Sequence, residues 1–180
     1  FENVSFKYPK QKDYALKNLN ITLEAGKRLA VVGLNGAGKT TMIKSLLGIL
    51  DFEEGDILIN NKSIKENPID CKLDMAYVPD NPDLYENMSA IEFINFVCDM
   101  YDTPTYVRDE NIKKYATMFE LKDNLNDDIS SFSHGMKQKV ALIAALAHDP
   151  KVLVMDEPFV GLDPKAVFDV KELMKKMAKE

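Results

Sequence analysis

The sequence predicts an α/β protein with a mostly parallel core sheet, an antiparallel β subdomain and an inserted α-helical subdomain. An apolar run at residues 28–32 leads directly into a glycine-rich loop, and a second apolar run occupies residues 151–155. Continuous apolar runs of this length are typical of parallel strands that are covered on both faces. Between these runs, residues 80–149 have the pattern of several helices. We therefore expect one domain over residues 1–180, with a helical subdomain inserted at about residues 80–149.

The first half of the chain supplies the predicted antiparallel unit and the first core strand. Apolar and polar residues alternate at residues 4–8 and 19–23, which predicts half-buried strands. A helix is expected from about residue 40 to residue 50. A further strand at residues 57–59 would continue the antiparallel unit.

The second half begins with a core strand at residues 75–78 and continues with helices. Ser89 and Glu92 have the spacing of a capping box, which predicts a helix start there. Two more helices are expected at about residues 109–119 and at residues 134–147. The final helix should begin at Pro164, because proline is favoured at the first helical position. The chain starts within one expected element and stops within another, so we expect a fragment that is incomplete at both ends.

Composition narrows the possible functions. The chain has 180 residues, of which 46% are hydrophobic, and its net charge is -6. This acidic balance argues against the broad basic face of a nucleic-acid binder, so no nucleic-acid partner is expected. No apolar run approaches the roughly 20 residues that a membrane span requires. Cys71 and Cys98 stand alone, as expected for buried or incidental thiols in a reducing compartment.

The segment from Gly33 to Thr40 fits the phosphate-binding loop pattern G-x-x-x-x-G-K-[ST] at every fixed position. Glycines let backbone N–H groups approach phosphate oxygens, and the following helix directs its positive end toward them. Lys39 would bridge the β- and γ-phosphates, and Thr40 would offer its hydroxyl to Mg²⁺. The loop predicts a P-loop NTPase that binds ATP. The expected nucleotide-binding residues of the loop and helix start are Gly33, Asn35, Gly36, Ala37, Gly38, Lys39, Thr40 and Thr41.

Two adjacent carboxylates, Asp156 and Glu157, end the last predicted strand. Successive residues of a strand point to opposite sides. Asp156 could therefore face Mg²⁺ while Glu157 faces an attacking water as polariser or general base. The catalytic residues expected are Glu157 and Lys39.

The segment 132–136, Phe-Ser-His-Gly-Met, resembles the signature motif of ATP-binding cassette (ABC) ATPases, which is commonly L-S-G-G-Q. The segment 161–164, Gly-Leu-Asp-Pro, looks like the D-loop of that family, with Asp163 at its acidic position. The resemblance covers essentially the whole chain and is closest to the ATP-binding subunits of transporters. It implies that two such domains pair head to tail, so that each ATP lies between the glycine loop of one and the signature of the other. The signature residues expected to act in trans are Ser133, His134, Gly135 and Met136.

Further roles follow from the same resemblance. Tyr8 matches the aromatic residue that stacks on adenine in the family. Asp80 stands where the family usually has glutamine, and we expect it to bind Mg²⁺ or to keep the sensing role. His134 and Met136 replace a glycine and a glutamine of the signature. The variation at Asp80 favours the exporter-type branch. The H-loop histidine of the family would lie beyond Glu180, so weak turnover is expected from the chain as given.

The leading hypothesis is an ATP-hydrolysing subunit that powers a membrane transporter whose substrate is unknown. Its expected partners are a transmembrane permease, docked between Asp80 and about Met100, and a second nucleotide-binding domain, identical or different. Its expected location is the cytoplasmic face of the cell membrane. The alternative is a soluble ABC ATPase acting on the ribosome or on nucleic acid. Against it, neither a long coiled coil nor a second cassette with basic linkers is visible. A further alternative is a regulatory ATP-binding module without turnover, and Glu157 argues against it.

Overall fold

The computed structural model describes residues 1–34 and 36–177. The chain divides into two compact units, which are described separately. The first comprises Phe1–Asp74 together with the chain from Met174 onward, and the second comprises Met75–Leu173. The phosphate loop belongs to the first unit, whereas the carboxylate strand and the signature segment belong to the second.

The first unit contains antiparallel strands and two short helices. The elements are β1 (Glu2–Phe6), β2 (Leu16–Leu19), α1 (Lys39–Leu46), β3 (Glu54–Asp56), β4 (Leu58–Ile59), β5 (Lys62–Ser63) and α2 (Pro68–Leu73). β1 lies between β2 and β3, antiparallel to both. Val4 and Phe6 are buried on the inner face of β1. The antiparallel arrangement predicted around the first strand is therefore confirmed, although β2 and β3 lie at other residues than the predicted strands.

A tight turn joins β4 to β5. Asn60 and Asn61 form this two-residue connection, and both have positive φ angles, +52° and +63°. Two positive φ angles are the requirement of the type I′ turn, and asparagine tolerates them better than most residues. The prediction of one strand over residues 57–59 is corrected in detail. Ile57 is buried and links β3 to β4 along the chain. β3 pairs with β1, whereas β4 pairs with β5.

Two predicted strands of the first unit are wrong. β2 ends at Leu19, and within the described part of residues 20–34 there is no strand. The apolar residues of the 28–32 run are largely exposed, Val32 by 91%. A run of this kind is buried on both faces only when hydrogen-bonded strands flank it. Neither sheet of this unit includes residues 28–32, so apolar composition alone did not make them a strand.

The second unit combines a parallel strand pair with helices. The elements are β6 (Met75–Val78), α3 (Ala90–Met100), α4 (Thr105–Met118), the 3₁₀ turns Lys122–Asn124 and Ile129–Ser131, α5 (His134–Ala147), β7 (Val152–Met155) and α6 (Pro164–Met177), whose last turn belongs to the first unit. β6 and β7 are parallel and in register from Met75–Val152 to Val78–Met155. α5 packs on α3, α4 and β6, and its residues from Val140 to Ala147 are all buried.

Helix ends follow the local signals closely. Ser89 Oγ accepts from Glu92 N, and the Glu92 carboxylate accepts from Ser89 N at 2.9 Å, which completes the predicted capping box. These hydrogen bonds hold the pKa of Glu92 below its usual value. α5 spans the predicted residues, and α6 begins at Pro164 as expected. The helix predicted from residue 109 begins earlier, at Thr105, directly after Pro104.

Within the described residues, no helix combines the length and apolar character needed to cross a membrane.

Candidate functional site

The phosphate loop depends on two glycines with positive φ angles. Gly36 has φ +84° and Gly38 has φ +87°, in the left-handed region that disfavours side chains. A Cβ at Gly36 would meet open space, whereas a Cβ at Gly38 would lie 2.8 Å from the carbonyl oxygen of Ala15. Gly38 is thus required for two reasons, backbone angle and close approach, and Gly36 for one.

The N-terminus of α1 fits an anion. α1 begins at Lys39 directly after Gly38, and no side chain caps its first amides. Those N–H groups and the positive end of the helix dipole therefore remain available to phosphate oxygens. Thr40 is exposed in the first turn of α1, where its hydroxyl can reach a metal ion bound to the same phosphate.

Lys39 folds back over the loop. Its Nζ donates to the carbonyl oxygens of Gly33 at 2.7 Å and of Leu34 at 3.1 Å. Ala37 N donates to Leu34 O, which tightens the same turn. The ammonium group is thus held at the loop, where the sequence pattern requires it. Asn35, another predicted contact, lies outside the described residues.

Tyr8 lies beside the first turn of α1. Its hydroxyl is 3.0 Å from the Thr41 hydroxyl, and its ring meets the Phe6 ring edge-on with centroids 4.8 Å apart. β1 ends just before Tyr8, and α1 carries Thr41, so the packing of these two elements brings both residues together. Two residues predicted to contact the nucleotide are therefore adjacent.

In the second unit, two acidic side chains lie at the carboxyl ends of β6 and β7. Asp156 N donates to Val78 O at 3.0 Å and extends the ladder by one step beyond β7. Asp80 follows β6 after Pro79, and its Oδ1 accepts from Asn81 N. Burial raises the pKa of Tyr77, and the charges of Asp156 and Asp80 raise it further, so both carboxylates act on this phenol. The parallel pair thus gathers acidic groups at one edge.

Glu157 adopts an uncommon backbone conformation. Its φ is +45°, and its side chain is exposed. A non-glycine residue in this region carries backbone strain, which is frequent at functional positions. Val160 N donates to Glu157 O and closes the turn that follows. The chain therefore turns at Glu157, two residues after the end of β7, and leaves its side chain exposed.

The signature segment forms the start of α5. Ser133 is the N-cap, and its Oγ accepts from Met136 N at 3.3 Å. Phe132 before it is buried, while Ser133 and His134 are exposed. The exposed N-terminus of a long helix, with a serine at its cap, is the arrangement that an anion-binding signature needs.

The signature turn packs directly on the loop before α6. A Cβ at Gly135 would lie 2.6 Å from the carbonyl oxygen of Gly161, so this position has no room for a side chain. A Cβ at Gly161, which has φ +75°, would collide with the imidazole of His134. The predicted signature and D-loop residues are therefore in contact with each other within this unit.

Two α5 residues that the sequence analysis did not select also hold this region. Gln138 is fully buried and donates from Nε2 to Pro79 O at 3.1 Å. Lys139 pairs with Asp163 at 2.9 Å, and Asp163 also accepts from Ala166 N as the cap of α6. These bonds lower the pKa of Asp163 to about 2. A signal existed in the sequence, since Gln138 precedes the buried Ala141 and Leu142 by one helical turn and so shares their face.

The resemblance implies Mg²⁺, and the oxygen-bearing side chains present decide whether the chain can hold it. Among the described residues, no three His, Cys, Asp or Glu side chains cluster as a metal site made only of protein would require. Mg²⁺ in nucleotide sites is commonly held by one or two protein oxygens together with phosphates and water. The Thr40 hydroxyl in the first unit and the Asp156 and Asp80 carboxylates in the second unit are oxygens of the kind that such a site uses.

Comparisons with known proteins agree with these features. Residues 16–160 match the family model described as ABC transporter. The chain is 34% identical over 164 residues to the ABC-type transporter ATP-binding protein EcsA of Bacillus subtilis, a match over 91% of this chain. The chain spans 66% of the length of EcsA.

Solved structures give the same result. The ATP-binding subunit of an ABC transporter superposes with a TM-score of 0.93 and 31% identity, over 99% of this chain and 73% of that one. The ATP-binding cassette MJ0796, in a dimeric post-hydrolysis state with ADP and phosphate, superposes with a TM-score of 0.86 and 25% identity, over 99% and 82% of the two chains. The α/β P-loop NTPase fold is confirmed, and the chain belongs to the ABC transporter family as one of its ATP-binding domains.

Proposed function

We propose that this chain hydrolyses ATP to power transport by a membrane ABC transporter, through ATP-driven head-to-tail pairing of two such domains. The observation that carries the proposal is the start of α1, which has no side-chain cap and follows a loop shaped by Gly36 and Gly38. This loop offers backbone N–H groups to phosphates, and Lys39 adds a positive charge beside them.

Each residue of the proposed mechanism has a distinct task. The amides of the loop and Lys39 bind the β- and γ-phosphates and stabilise the charge that develops during cleavage. Thr40 of the first unit and Asp156 of the second, with Asp80 as a further ligand, are the residues that would hold Mg²⁺, and the ion would offset phosphate charge. Glu157 orients and polarises the attacking water. The strained backbone at Glu157 suits a side chain whose direction must be fixed.

The signature turn supplies the second half of each site. Ser133 and the N–H groups after it form an anion site at the exposed start of α5. A γ-phosphate gripped from both sides joins two copies, and its loss on hydrolysis releases them. The dimeric state of MJ0796 with ADP and phosphate is consistent with such a cycle in a relative.

The proposed permease contact lies on exposed apolar residues of the second unit. Tyr85, Phe96 and Met100 are exposed by 53%, 37% and 65%. Tyr85 packs edge-on against both Phe93 and Phe96 and holds them as one cluster. Aromatic and methionine side chains of this kind are enriched at protein interfaces. Since the cluster lies within the segment 80–100, we propose that it binds a short apolar helix of the transmembrane partner.

The decisive experiment uses a Glu157→Gln variant of the full-length protein on a sizing column. With ATP and Mg²⁺ the variant should run as a dimer, and without ATP as a monomer. Adding Ser133→Ala and Gly135→Ala to the same variant should abolish the dimer, because a Cβ at residue 135 collides with Gly161 O. ATP binding without any ATP-dependent dimer would defeat the proposed pairing.

Membrane coupling is tested separately. The full-length protein should sediment with membranes that contain its permease, and Tyr85→Ser with Phe96→Ser should release it. A control is Tyr106→Ser, which changes a still more exposed aromatic residue on α4. Sedimentation with ribosomes instead of membranes would replace the transport proposal with the alternative of a soluble ABC ATPase.

A further inference from the structure

Adjacent residues of α5 hold two different loops of the second unit. Gln138 donates to the carbonyl oxygen of Pro79, the residue before Asp80. Lys139 pairs with Asp163, in the loop before α6. Neighbouring helical residues point about 100° apart, so one turn of α5 reaches both loops at once. We call Gln138 and Lys139 the α5 clasp.

The hydrogen bond from Gln138 to Pro79, the first arm of the clasp, does more than stabilise the fold. Gln138 is 0% exposed, and its Oε1 has no hydrogen-bond partner among the described residues. An unsatisfied buried polar atom destabilises a fold by about 1–3 kcal/mol, which offsets most of what the Nε2 bond contributes. An apolar side chain of similar volume would satisfy the core equally well. The hydrogen bond therefore serves to fix the Pro79 carbonyl, and with it the direction in which the Asp80 loop leaves β6.

The second arm is a partly shielded ion pair. The Lys139 side chain is only 13% exposed, whereas that of Asp163 is 50% exposed. Asp163 uses one oxygen for Lys139 and the other for the amide of Ala166, so both of its oxygens are committed. Gly135 and His134 also contact Gly161, and these contacts join the same two segments, the start of α5 and the loop before α6. The signature turn and the loop of Asp163 are thereby joined at two separate points.

We propose that the α5 clasp positions the Asp80 loop and the Asp163 loop relative to the signature turn, so that the three segments respond together when a second copy binds. The inference rests on the proposed function, because the signature turn and Asp163 act only in a paired site. Gln138 and Lys139 are positioning residues, since they act through Pro79 and Asp163 and not on the nucleotide.

The experiment compares Lys139→Met with Lys139→Arg in the full-length protein with its permease. Lys139→Met keeps most of the length of the side chain but removes its charge, and it should lower kcat for ATP hydrolysis by about tenfold or more, because a misplaced site can lose about 10²-fold. The KM for ATP should stay within about twofold, because the phosphate loop is unchanged. Lys139→Arg should restore kcat, since arginine can form the same ion pair.

Gln138→Met tests the other arm. It should leave the thermal midpoint of the protein unchanged and should reduce the stimulation of ATP hydrolysis by the permease about fivefold, because the Asp80 loop loses its anchor. A wild-type stimulation ratio in this variant would overturn the role of Gln138.

A double-mutant cycle keeps the test valid if single variants are less stable. Asp163→Asn retains an oxygen for the Ala166 amide but removes the charge that pairs with Lys139. If both residues act through the pair, Lys139→Met combined with Asp163→Asn should be no slower than the slower single variant. Multiplying effects, or a Lys139→Arg variant as slow as Lys139→Met, would overturn the inference. A wild-type protein that fails to bind or hydrolyse ATP would instead overturn the proposed function itself.

Discussion

The phosphate loop and the signature turn are two candidate anion sites built in different ways. The loop around Gly36 and Gly38 is made of backbone, and its shape comes from positive φ angles and from the absence of side chains. The signature turn is made by side chains, since Ser133 caps α5 and Gln138 and Lys139 anchor the helix to neighbouring loops. A backbone site tolerates few residue types at its fixed positions, whereas a site anchored from behind can vary at its exposed face. The loop fits its pattern at every fixed position, whereas the signature departs from its pattern at His134 and Met136.

The largest effect is expected at Lys39, the one charged side chain of the loop pattern. Lys39→Met should reduce the rate of ATP hydrolysis about 10²–10³-fold, as removal of a preorganised charge or donor does in other enzymes. The measurement is steady-state phosphate release from the full-length protein. Lys44→Met, on an exposed residue of the same helix, is the matched control and should keep its activity. Equal losses in both variants would contradict a special role for Lys39.

The second prediction concerns the helices behind the signature. His148 stacks on Tyr101 with centroids 3.7 Å apart, and burial lowers the pKa of His148 to about 4 despite the nearby charge of Asp149. The unfolded chain takes up this proton below about pH 6.5, whereas the folded chain does so only near pH 4. Stability should therefore be complete above pH 6.5 and should fall by about 2–3 kcal/mol between pH 6.5 and 4, with no further loss from this group below that.

His148→Phe tests this prediction, because phenylalanine can keep the stack but cannot titrate. The free energy of unfolding, measured in urea at several pH values, should depend less on pH in this variant than in the wild type. The same slope in the wild type and in His148→Phe would show that His148 charges freely in the fold.

The third prediction separates the two reasons for glycine in the loop. Gly36→Ala incurs only the cost of a positive φ angle, about 1–2 kcal/mol. Gly38→Ala incurs that cost and also the collision with Ala15 O. Urea unfolding should therefore show Gly38→Ala to be less stable than Gly36→Ala by about 1–3 kcal/mol, the usual cost of overpacking. Equal losses would mean that the Ala15 carbonyl moves aside without cost.

The smallest effect is expected at the cap of α5. Ser133→Ala should lower the free energy of unfolding by about 1 kcal/mol, a typical value for loss of an N-cap. Ser133→Asp should recover that stability, since aspartate also caps a helix, yet it should weaken ATP-dependent dimerisation through charge repulsion. If Ser133→Asp dimerised as the wild type does, the exposed start of α5 would not be the anion site of the pair.

Helix ends and the phosphate loop could be predicted from the sequence, because each is determined by a few neighbouring residues. Ser89 with Glu92, Ser133 before α5 and Pro164 at the start of α6 each specified a helix end through a bond or backbone angle contained within a few residues. The glycines of the phosphate loop were predictable for the same reason. In these cases the sequence pattern and the physical cause are the same thing.

The features that the sequence analysis missed all depend on distant partners. The run at residues 28–32 has the composition of a core strand, but a strand also needs neighbours, and the pattern says nothing about them. The contacts of Gln138 with Pro79 and of Lys139 with Asp163 are visible only in the folded chain, because these residues are far apart in sequence. The edge-on contact of Tyr8 with Phe6 and its bond to Thr41 likewise required the fold.

Because His134 contacts Gly161, the residue types that fit at these two distant positions depend on each other. As long as an imidazole occupies one position, the other must remain without a side chain, because the ring fills the space that a methyl group would take. Alanine at residue 161 should therefore be tolerated better after His134→Gly than in the present sequence, although the backbone cost of its φ angle would remain. A selection for suppressors of Gly161→Ala would then recover small residues at position 134.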